Sequence, residues 1–518
     1  MGISEIQKNK YALIGQGVEN HLSAEIHQII GDYSFECLNI EDEEELKSVL
    51  ADKEYSGFII DRPFKCSIIK HLDNVSDDAT SVRAVNIVKR EKDGTLSGFN
   101  SEIATFKYMM PTIIPGWKAV VLGTGAGARA SAEALKNLGA EPIILVSRDP
   151  EKAKAEGIIK DFEIIGYNDL RLHKDTKIMV NATPVGKYPE CWESPLDGKL
   201  IKMSTFSILE IAADLNFNPT RSKFTQDAGR LAGSENNLLA QKFFDNIGAR
   251  IKGYKTGDMS RVFRENLYAQ SRVHTRSGMD MFVRQALVAK HLWLDEADVS
   301  EDTDLVYDIK KQVLENQINV VLIGMPGSGK SSIARMMAKE LNREFVDTDK
   351  LTEELMGEKI QDVLNDESRG ELYMRNYETE ALKIACNRKG CVIATGGGAV
   401  VRPVNRDIIR ANGCVVYIKR PVNQLSVKNR PISQKEGVEK LYKERSGIYS
   451  RVADVSVTNS HTFGESYDKH GEKNSYTYDL KRFSYKVIKL ARDRLWEIVA
   501  EHSYKYEEAE KKRRKSNG

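Results

Sequence analysis

Residues 324–331 read G-M-P-G-S-G-K-S, which fits the phosphate-binding pattern G-x-x-x-x-G-K-[ST]. Glycines in such a loop let backbone N–H groups and the start of the next helix face the phosphates of a nucleotide. An apolar run at 319–323 precedes the loop and an amphipathic run at 333–341 follows it, which favours strand, loop and helix over an ordinary glycine-rich turn. The predicted nucleotide ligands are Gly324, Gly327, Ser328, Gly329, Lys330 and Ser331, with the lysine on the terminal phosphates and the last hydroxyl on Mg²⁺.

Two carboxylates, Asp347 and Asp349, follow in the segment 345–349. Residues two apart in a strand share a face, so we expect both side chains on one face at the end of a strand. One carboxylate could serve Mg²⁺ through water while the other accepts a hydroxyl proton from an acceptor molecule. A structural D-x-D turn is the alternative.

The second half of the chain also carries arginines and a glycine turn. Arg375 is predicted on a helix, the triplet Gly396, Gly397 and Gly398 follows a predicted strand at 391–395, and later come Arg430 and Arg445. Bare glycines permit backbone N–H groups to approach a small polar ligand closely. In order and content these motifs resemble shikimate kinase, which carries a phosphate loop, D-x-D, G-E-x-x-F-R-x-x-E, G-G-G, R-P-[LI] and R-x-x-x-Y.

The resemblance to shikimate kinase implies a role for each matching position. Asp349 would hold the ring hydroxyls of shikimate and take the proton, with Asp347 left for the metal. Arg375 would bind the substrate carboxylate by charge-assisted hydrogen bonds, with Arg445 as a second charged candidate. The glycine triplet would offer backbone donors, and Arg430 would reach the transferring phosphoryl group from a closing lid.

In the first half, Lys65 follows a predicted strand at 57–60, where open α/β sheets form their ligand crevices. Asn86 lies in A-V-N-I-V at 84–88, and Glu102 lies in G-F-N-S-E at 98–102. These segments resemble the catalytic domain of shikimate dehydrogenases. By that resemblance Lys65 moves a proton as hydride moves to or from nicotinamide, Asn86 binds a ring hydroxyl, and position 102 supplies the partner carboxylate.

Two departures from the dehydrogenase pattern bear on its substrate. Glu102 stands where the family normally has Asp, and His21 and Ser23 stand where two serines grip the substrate carboxylate. His21 can donate a hydrogen bond, and a charge if protonated, although a surface histidine is equally expected. The departures leave open a quinate or related polyol-acid dehydrogenase, or a first half retained only as a binding module for the kinase.

A dinucleotide-binding turn is predicted at 123–128, after a strand at 117–122 and before a helix. The next strand ends in Ser147 and Arg148, which favours the 2′-phosphate of NADP, although Asp149 departs from the family pattern. The resemblance places N-A-T-P-V-G at 181–186 beside the nicotinamide and gives Gln285 a substrate contact. The predicted cofactor ligands are Gly123, Gly125, Ala126, Gly127, Ala128, Ser147, Arg148, Asn181 and Thr183.

The order of apolar and helical runs predicts an α/β protein. Residues 11–60 read β-α-β-α-β, a Rossmann NADP-binding domain follows, and the phosphate loop opens an α/β kinase domain with a parallel sheet. We expect a dehydrogenase catalytic domain at 1–105 and 278–297, and a Rossmann domain at 106–277 whose segment 220–277 is a helical surface insertion. A solvated linker at 298–315 with a helix-like segment at 305–314, a kinase domain at 316–502 and a basic tail at 503–518 complete the prediction.

Composition excludes some functions and leaves others open. The chain has 77 Lys and Arg against 75 Asp and Glu, so its net charge of +2 implies no general attraction to nucleic acid or membrane. The six cysteines show no zinc spacing and suit reduced thiols in a cytoplasmic protein. The expected reaction is reduction of 3-dehydroshikimate with NADPH and phosphorylation of shikimate with ATP and Mg²⁺. Oligomeric state is not encoded in any motif.

Overall fold

Three β-sheets follow one another along the chain, and helices pack on each of them. The computed structural model describes residues 9–18, 21–110, 113, 115–157, 159–231, 273–366, 369–425, 431–459 and 476–501. The predicted tail at 503–518, the lid arginine Arg430 and most of the predicted insertion lie outside these residues. No helix among the described residues is long and apolar enough to cross a membrane. All six cysteines are free thiols.

The first unit is a mixed sheet with helices α1 (Leu22–Ile30), α2 (Glu43–Ala51), α3 (Asp77–Val82) and α4 (Glu102–Phe106). Its described strands are β1 (Lys10–Gly15), β2 (Ser34–Asn39), β3 (Tyr55–Ile60), β4 (Asn74–Val75), β5 (Ile87–Arg90) and β6 (Leu96–Phe99). Their order is β2-β1-β3-β5-β6-β4, with β1 parallel to both neighbours and β5 antiparallel to both of its own. The predicted β-α-β-α-β order of residues 11–60 is confirmed.

The second unit is a parallel sheet whose described strands have the order β12-β11-β10-β7-β8-β9. The strands are β7 (Ala119–Leu122), β8 (Ile143–Ser147), β9 (Glu163–Gly166), β10 (Ile178–Asn181), β11 (Ile211–Asp214) and β12 (His274–Ser277). Its helices are α5 (Ala126–Asn137), α6 (Pro150–Ala155) and α7 (Lys223–Gly229). Helix α8 (Met279–Leu294) then returns to pack on the first unit, against α1 and α4.

The third unit is also a parallel sheet, with the order β14-β15-β13-β16-β17. Its described strands are β13 (Asn319–Ile323), β14 (Phe345–Asp347), β15 (Val392–Ala394), β16 (Gly413–Lys419) and β17 (Val455–Thr458). Its described helices begin with α9 (Thr303–Gln317), α10 (Lys330–Leu341), α11 (Thr348–Met356), α12 (Ile360–Asn365) and α13 (Gly370–Asn387). They continue with α14 (Pro403–Ala411), α15 (Pro431–Glu436), α16 (Val438–Val452) and α17 (Tyr476–Glu501). Strand β13 is buried along its whole length because helices cover both faces of the sheet.

Helix α9 corrects the predicted linker at 298–315. The chain is mostly exposed from 295 to 302, but Asp302 caps a helix that begins at Thr303. Val306, Ile309 and Val313 recur at helical spacing and are at most 2% exposed. Their cluster joins α1 and α8 of the first unit to β13 and α10 of the third. The two units therefore share one apolar core, and the second half of the predicted linker is part of it.

The predicted surface insertion at 220–277 is wrong at both of its ends. Phe224 on α7 is completely buried in the second unit, and His274–Ser277 forms strand β12, which pairs in parallel with β11. The alternation needed to recognise a strand is hidden because β12 contains the polar sequence H-T-R-S. Residues 232–272 lie outside the described part of the chain.

Arg221 attaches the second unit to the third. Its guanidinium donates to both carboxylate oxygens of Asp454 at 2.8 and 3.1 Å, and its Nε donates to the carbonyl of Arg410 at 2.9 Å. Burial opposes ionisation of Asp454, but the charge of Arg221 holds the pKa of this carboxyl below its usual range. The pair is therefore a buried ion pair with additional backbone hydrogen bonds, which is the arrangement that makes such pairs stable.

We expect Asp454→Asn to lower the free energy of unfolding in urea by about 3 kcal/mol, because it leaves Arg221 buried without its counter-charge. The control is Asp175→Asn. Asp175 forms a salt bridge of the same 2.8 Å length to Lys118, but its side chain is 63% exposed. Breaking this exposed bridge should lower the free energy of unfolding by only about 0–1 kcal/mol. Equal losses in the two variants would contradict this account of the interface.

Candidate active sites

The phosphate loop connects β13 to α10 in a conformation that requires glycine. Gly324, Gly327 and Gly329 have φ angles of 146°, 81° and 97°, which side-chain-bearing residues rarely adopt. A Cβ on Gly324 would also lie 2.6 Å from the carbonyl oxygen of Ile418. Helix α10 begins at Lys330, so its first N–H groups border the loop. The loop therefore has the shape of an anion cradle at a helix N-terminus.

The side chains of the loop are anchored within it. Lys330 Nζ donates to the carbonyls of Gly324 and Met325 at 2.9 and 3.0 Å. Asn459 Nδ2 donates to the carbonyl of Ser328 at 3.0 Å, an anchor that no sequence motif indicated. Ser328 is buried, whereas Ser331 is partly exposed at the start of the helix. Lys330 and Ser331 therefore lie where they would contact a bound phosphate and its metal ion.

Asp347 and Asp349 occupy a strand-to-helix junction, so the prediction that they share a strand face is wrong. Strand β14 ends at Asp347, which caps α11 by accepting from the N–H of Asp349 at 3.2 Å. The cap draws Asp349 into the first helical turn. Burial raises the pKa of Asp349 to about 6, with the charge of Asp347 adding to the rise and Lys330 opposing it.

The glycine triplet after β15 packs against a different functional group at each position. A Cβ on Gly396 would overlap the carboxylate of Asp349, and one on Gly398 would overlap the guanidinium of Arg375. On Gly397 it would lie 2.5 Å from Cγ of Pro326 in the phosphate loop. The turn therefore brings the D-x-D segment, Arg375 and the phosphate loop together, as the motifs predicted.

Arg375 is held by two carboxylates on its own helix. Its Nη1 donates to both oxygens of Glu378 at 2.9 and 2.8 Å, and its Nη2 donates to Glu371 at 2.6 Å. Burial works against the charge, but Glu378 and Glu371 raise the pKa of Arg375 above its usual range. Glu378 has a positioning contact that the sequence analysis did not assign, although the repeated E-x-x-x-R-x-x-E spacing signals it.

Of the two remaining arginine candidates, the structure describes Arg445 but not Arg430. Arg445 is buried on α16, and Tyr449, four residues later, donates from its hydroxyl to the carbonyl of Gly397. Helix α16 is therefore fastened to the glycine turn. Arg430 is outside the described residues, so its predicted role stays a prediction.

The second site is a cleft of about 2220 Å³ that all three units line. Lys65 Nζ and Glu102 Oε1 are 2.6 Å apart, with both side chains largely buried. Burial opposes the ammonium, but Glu102 and Asp61 raise the pKa of Lys65 above its usual value. The longer side chain of Glu102 therefore still reaches Lys65. Its second oxygen, Oε2, is buried and accepts no hydrogen bond from the described residues.

Asn86 and His21 line the cleft beside this pair, but both already have partners. Asn86 donates to Ser101 Oγ and accepts from the N–H of Ser101, each at 2.9 Å. His21 Nδ1 lies 2.9 Å from Ser23 Oγ and accepts from the N–H of Ser23 at 3.4 Å. Burial lowers the pKa of His21 to about 4, so the imidazole is uncharged at neutral pH. The charge allowed for in the sequence analysis is absent.

Asp61 and Lys187 are cleft residues to which the sequence analysis gave no role. Burial opposes ionisation of Asp61, but the charges of Lys65 and Lys187 lower its pKa. Burial also lowers the pKa of Lys187. Lys187 directly follows the N-A-T-P-V-G segment, and that adjacency was the available signal.

The dinucleotide turn borders the same cleft. Gly123 has a φ of 116°, and a Cβ there would lie 3.3 Å from the carbonyl oxygen of Ala182. Arg148 is exposed at the cleft, while Asp149 accepts from the N–H of Lys152 at 3.0 Å as the cap of α6. Five more of the predicted ligands also line the cleft: Gly125, Ala126, Gly127, Ser147 and Thr183. An exposed arginine beside a glycine turn suits a dinucleotide that carries an additional 2′-phosphate.

Of three further residues predicted to contact substrate or cofactor, one lines the cleft and two are buried. Gln285 on α8 lines the cleft, as expected. Ala128 is buried in the packing face of α5, and Asn181 is completely buried. Asn181 instead holds Thr183, whose hydroxyl donates to the side-chain oxygen of Asn181 at 2.7 Å. The side-chain nitrogen of Asn181 donates to Asp214 at 3.1 Å. Burial raises the pKa of Asp214 to about 6.

Comparison with known proteins bears first on the third unit. Residues 326–472 match the family model described as shikimate kinase. A shikimate kinase of Clostridium botulinum (strain Alaska E43 / Type E3) is 40% identical over 152 residues, which are 28% of this chain and 90% of that protein. The chain belongs to the shikimate kinase family. A shikimate kinase of Pseudomonas aeruginosa (strain LESB58) is 39% identical over 149 residues, 27% of this chain and 86% of that protein.

The first unit matches a second family. Residues 13–88 match the model described as the shikimate dehydrogenase substrate binding domain. Among solved structures, a chorismate mutase/shikimate 5-dehydrogenase fusion protein from Clostridium acetobutylicum is 25% identical and covers 60% of this chain and 98% of its own, with a TM-score of 0.45. Shikimate dehydrogenase 1 from Peptoclostridium difficile is 23% identical and covers 59% and 97%, with a TM-score of 0.45.

The two family matches lie in different parts of the chain and name the same metabolite. A segment that matches the substrate binding domain of shikimate dehydrogenases is therefore joined to a shikimate kinase domain in one chain. The resemblance predicted from the motifs, and the α/β fold class, are confirmed.

We predict that kcat/KM for shikimate phosphorylation falls about tenfold per pH unit below pH 6. The sequence analysis predicts that Asp349 takes the proton as a carboxylate, and its pKa of about 6 means that it is protonated below pH 6. Asp347→Asn removes a charge that raises this pKa, so the inflection should move to lower pH.

The control for this pH profile is Asp308→Asn, at an exposed position of α9 in the same unit. Ionisation of ATP is common to all three proteins, so a shift in Asp347→Asn alone belongs to the site. An inflection that stays in place in Asp347→Asn would show that another group controls the rate.

Proposed function

We propose that the chain carries out two successive reactions, reduction of 3-dehydroshikimate to shikimate with NADPH and 3-phosphorylation of shikimate with ATP. The observation that carries the proposal is the buried Lys65–Glu102 pair in the cleft of a chain whose other site belongs to a shikimate kinase. The product of the first reaction is the substrate of the second. The quinate alternative rests on His21 and is an arm of the test below.

The geometry of the cleft supports a cofactor at the glycine turn. Gly123 and its neighbours would hold the pyrophosphate, and Arg148 the 2′-phosphate. NADPH, when bound there, supplies the hydride. Lys65, kept protonated by Glu102 and Asp61, donates its proton to the carbonyl oxygen of 3-dehydroshikimate, which becomes the hydroxyl of shikimate. Glu102 is left to stabilise the lysine when it takes up a proton again from solvent.

In the third unit, Asp349 accepts the proton of the 3-hydroxyl as its oxygen attacks the terminal phosphoryl group. ATP supplies that group, and Mg²⁺ would be held by Ser331 and, through water, by Asp347. Lys330 neutralises charge on the phosphates, and Arg430 is proposed to do so from the lid. Arg375 borders the glycine turn, and Arg445 lies one helical turn before Tyr449, which is hydrogen-bonded to it. Both arginines are proposed to orient the carboxylate of shikimate.

We expect Lys65→Met and Glu102→Gln to lower NADPH consumption with 3-dehydroshikimate roughly 10²-fold or more, while phosphorylation of added shikimate is unchanged. Asp349→Asn should do the reverse. Each variant is thus the folding control for the other. The measurement is an assay with 3-dehydroshikimate, NADPH, ATP and Mg²⁺ that follows both cofactors.

Three outcomes would contradict parts of this proposal. Kinase turnover without NADP-dependent oxidation of shikimate would make the first half a non-catalytic module. A clear preference for quinate over shikimate in the oxidation direction would assign the cleft to the other ring acid. Faster turnover with NAD than with NADP would remove the role of Arg148.

A further inference from the structure

The carboxylate end of the cleft is short of donors. The N–H of Ser23 points at His21 Nδ1, so this nitrogen is unprotonated and the hydroxyl of Ser23 must donate to it rather than into the cleft. His21 then offers one uncharged N–H from Nε2. A carboxylate taken out of water needs stronger compensation than a single neutral donor.

Lys65 does not meet this need, because its ammonium is bound to Glu102 at 2.6 Å. Four other lysines line the cleft: Lys152, Lys187 and Lys199 from the second unit and Lys389 from the third. Lys389 Nζ lies 5.6 Å from the ring centre of Tyr188, the residue that follows Lys187, so these two lysines meet at one wall of the cleft. The charges of Lys187 and Lys389, like that of Lys65, lower the pKa of His21. Burial lowers the pKa of Lys187 and Lys389 as well, so each gains from an anionic partner.

Lys389 is fixed in position although it belongs to the kinase half. It lies 5.6 Å from the ring centre of Tyr188, and Asn387 donates to the carbonyl of Pro189 at 2.8 Å. On the far side, the N–H of Gly390 donates to the carbonyl of Gln317 at 3.1 Å. Gln317 in turn donates to Glu25 of α1 at 2.8 Å, and Glu25 faces Lys389 with its charge. The loop is held against both other units.

We propose that Lys187 and Lys389 hold the carboxylate of the dehydrogenase substrate, so that the kinase half completes the dehydrogenase site. The two ammonium groups replace a pair of hydroxyl donors with charge-assisted bonds. This inference rests on the proposed function, since it takes the ligand of the cleft to be a ring carboxylic acid.

The test compares shikimate with its methyl ester, which lacks the charge, in NADP-dependent oxidation by the full chain. Lys187→Ala and Lys389→Ala should each raise KM for shikimate roughly tenfold and leave KM for the ester unchanged. Lys389→Arg, which keeps the charge, should remain within about threefold of wild type. Kinase turnover in the same samples reports that each variant is folded.

The matched control is Lys383→Ala. Lys383 lies 5.1 Å from the ring centre of Trp192, so it also reaches across to the second unit, but it does not line the cleft. It should leave both KM values unchanged. An equal rise on both substrates, no rise at all, or a rise in KM for NADP alone would overturn the proposal.

Calorimetric titration of shikimate separates this inference from the reaction itself. The first binding site for shikimate is the kinase site, and the second is the cleft. If wild type fails to oxidise shikimate, but Lys187→Ala and Lys389→Ala weaken its binding at the second site, the proposed reaction fails and the carboxylate site stands. If these substitutions leave binding at that site unchanged, or the site is absent, the carboxylate site fails as well.

Discussion

Burial of helix α9 on both of its sides is the constraint that fixes the arrangement of the units. Val306, Ile309 and Val313 join apolar side chains of the first unit to those of the kinase sheet in one cluster. Separating the units would expose this surface to water at a cost of roughly 25 cal/mol per Å². The kinase half is therefore a packed part of the molecule, and the loop at 387–389 is held at the cleft of another enzyme.

Burial disfavours the charged form of the reacting side chain in both sites, but neighbouring charges oppose this effect in one site and add to it in the other. In the cleft, burial disfavours the ammonium of Lys65, and two carboxylates overcome it so that the lysine remains an acid. In the kinase unit, burial and Asp347 together hold the proton more tightly on Asp349, which brings this carboxyl closer to the pKa of an effective base. Lys65 thus has opposite charges beside it and Asp349 a like charge, which fits the proposed role of the first as an acid and of the second as a base.

Local motifs carried most of what the sequence could predict. The phosphate loop, the glycine triplet and the Lys65 segment need particular residues because their backbones or contacts admit no others, so short patterns reveal them. Strand β12 was missed because polar residues conceal it, and the helix at 305–314 was predicted without its burial between two units. Lys187 could have been found from its adjacency to the N-A-T-P-V-G segment, but Lys389 could not, since its position depends on how separate units meet. Arg221 and Asp454, 233 residues apart, share this limit.

The loop at 387–389 also changes how the cleft should be regarded as a drug target. In this chain the wall is formed in part by Asn387, Arg388 and Lys389 of the kinase half. An inhibitor that contacts Lys389 and Tyr188 together would therefore discriminate the fused enzyme from free-standing dehydrogenases. Selectivity would come from the joining of the two enzymes rather than from the catalytic residues that such enzymes have in common.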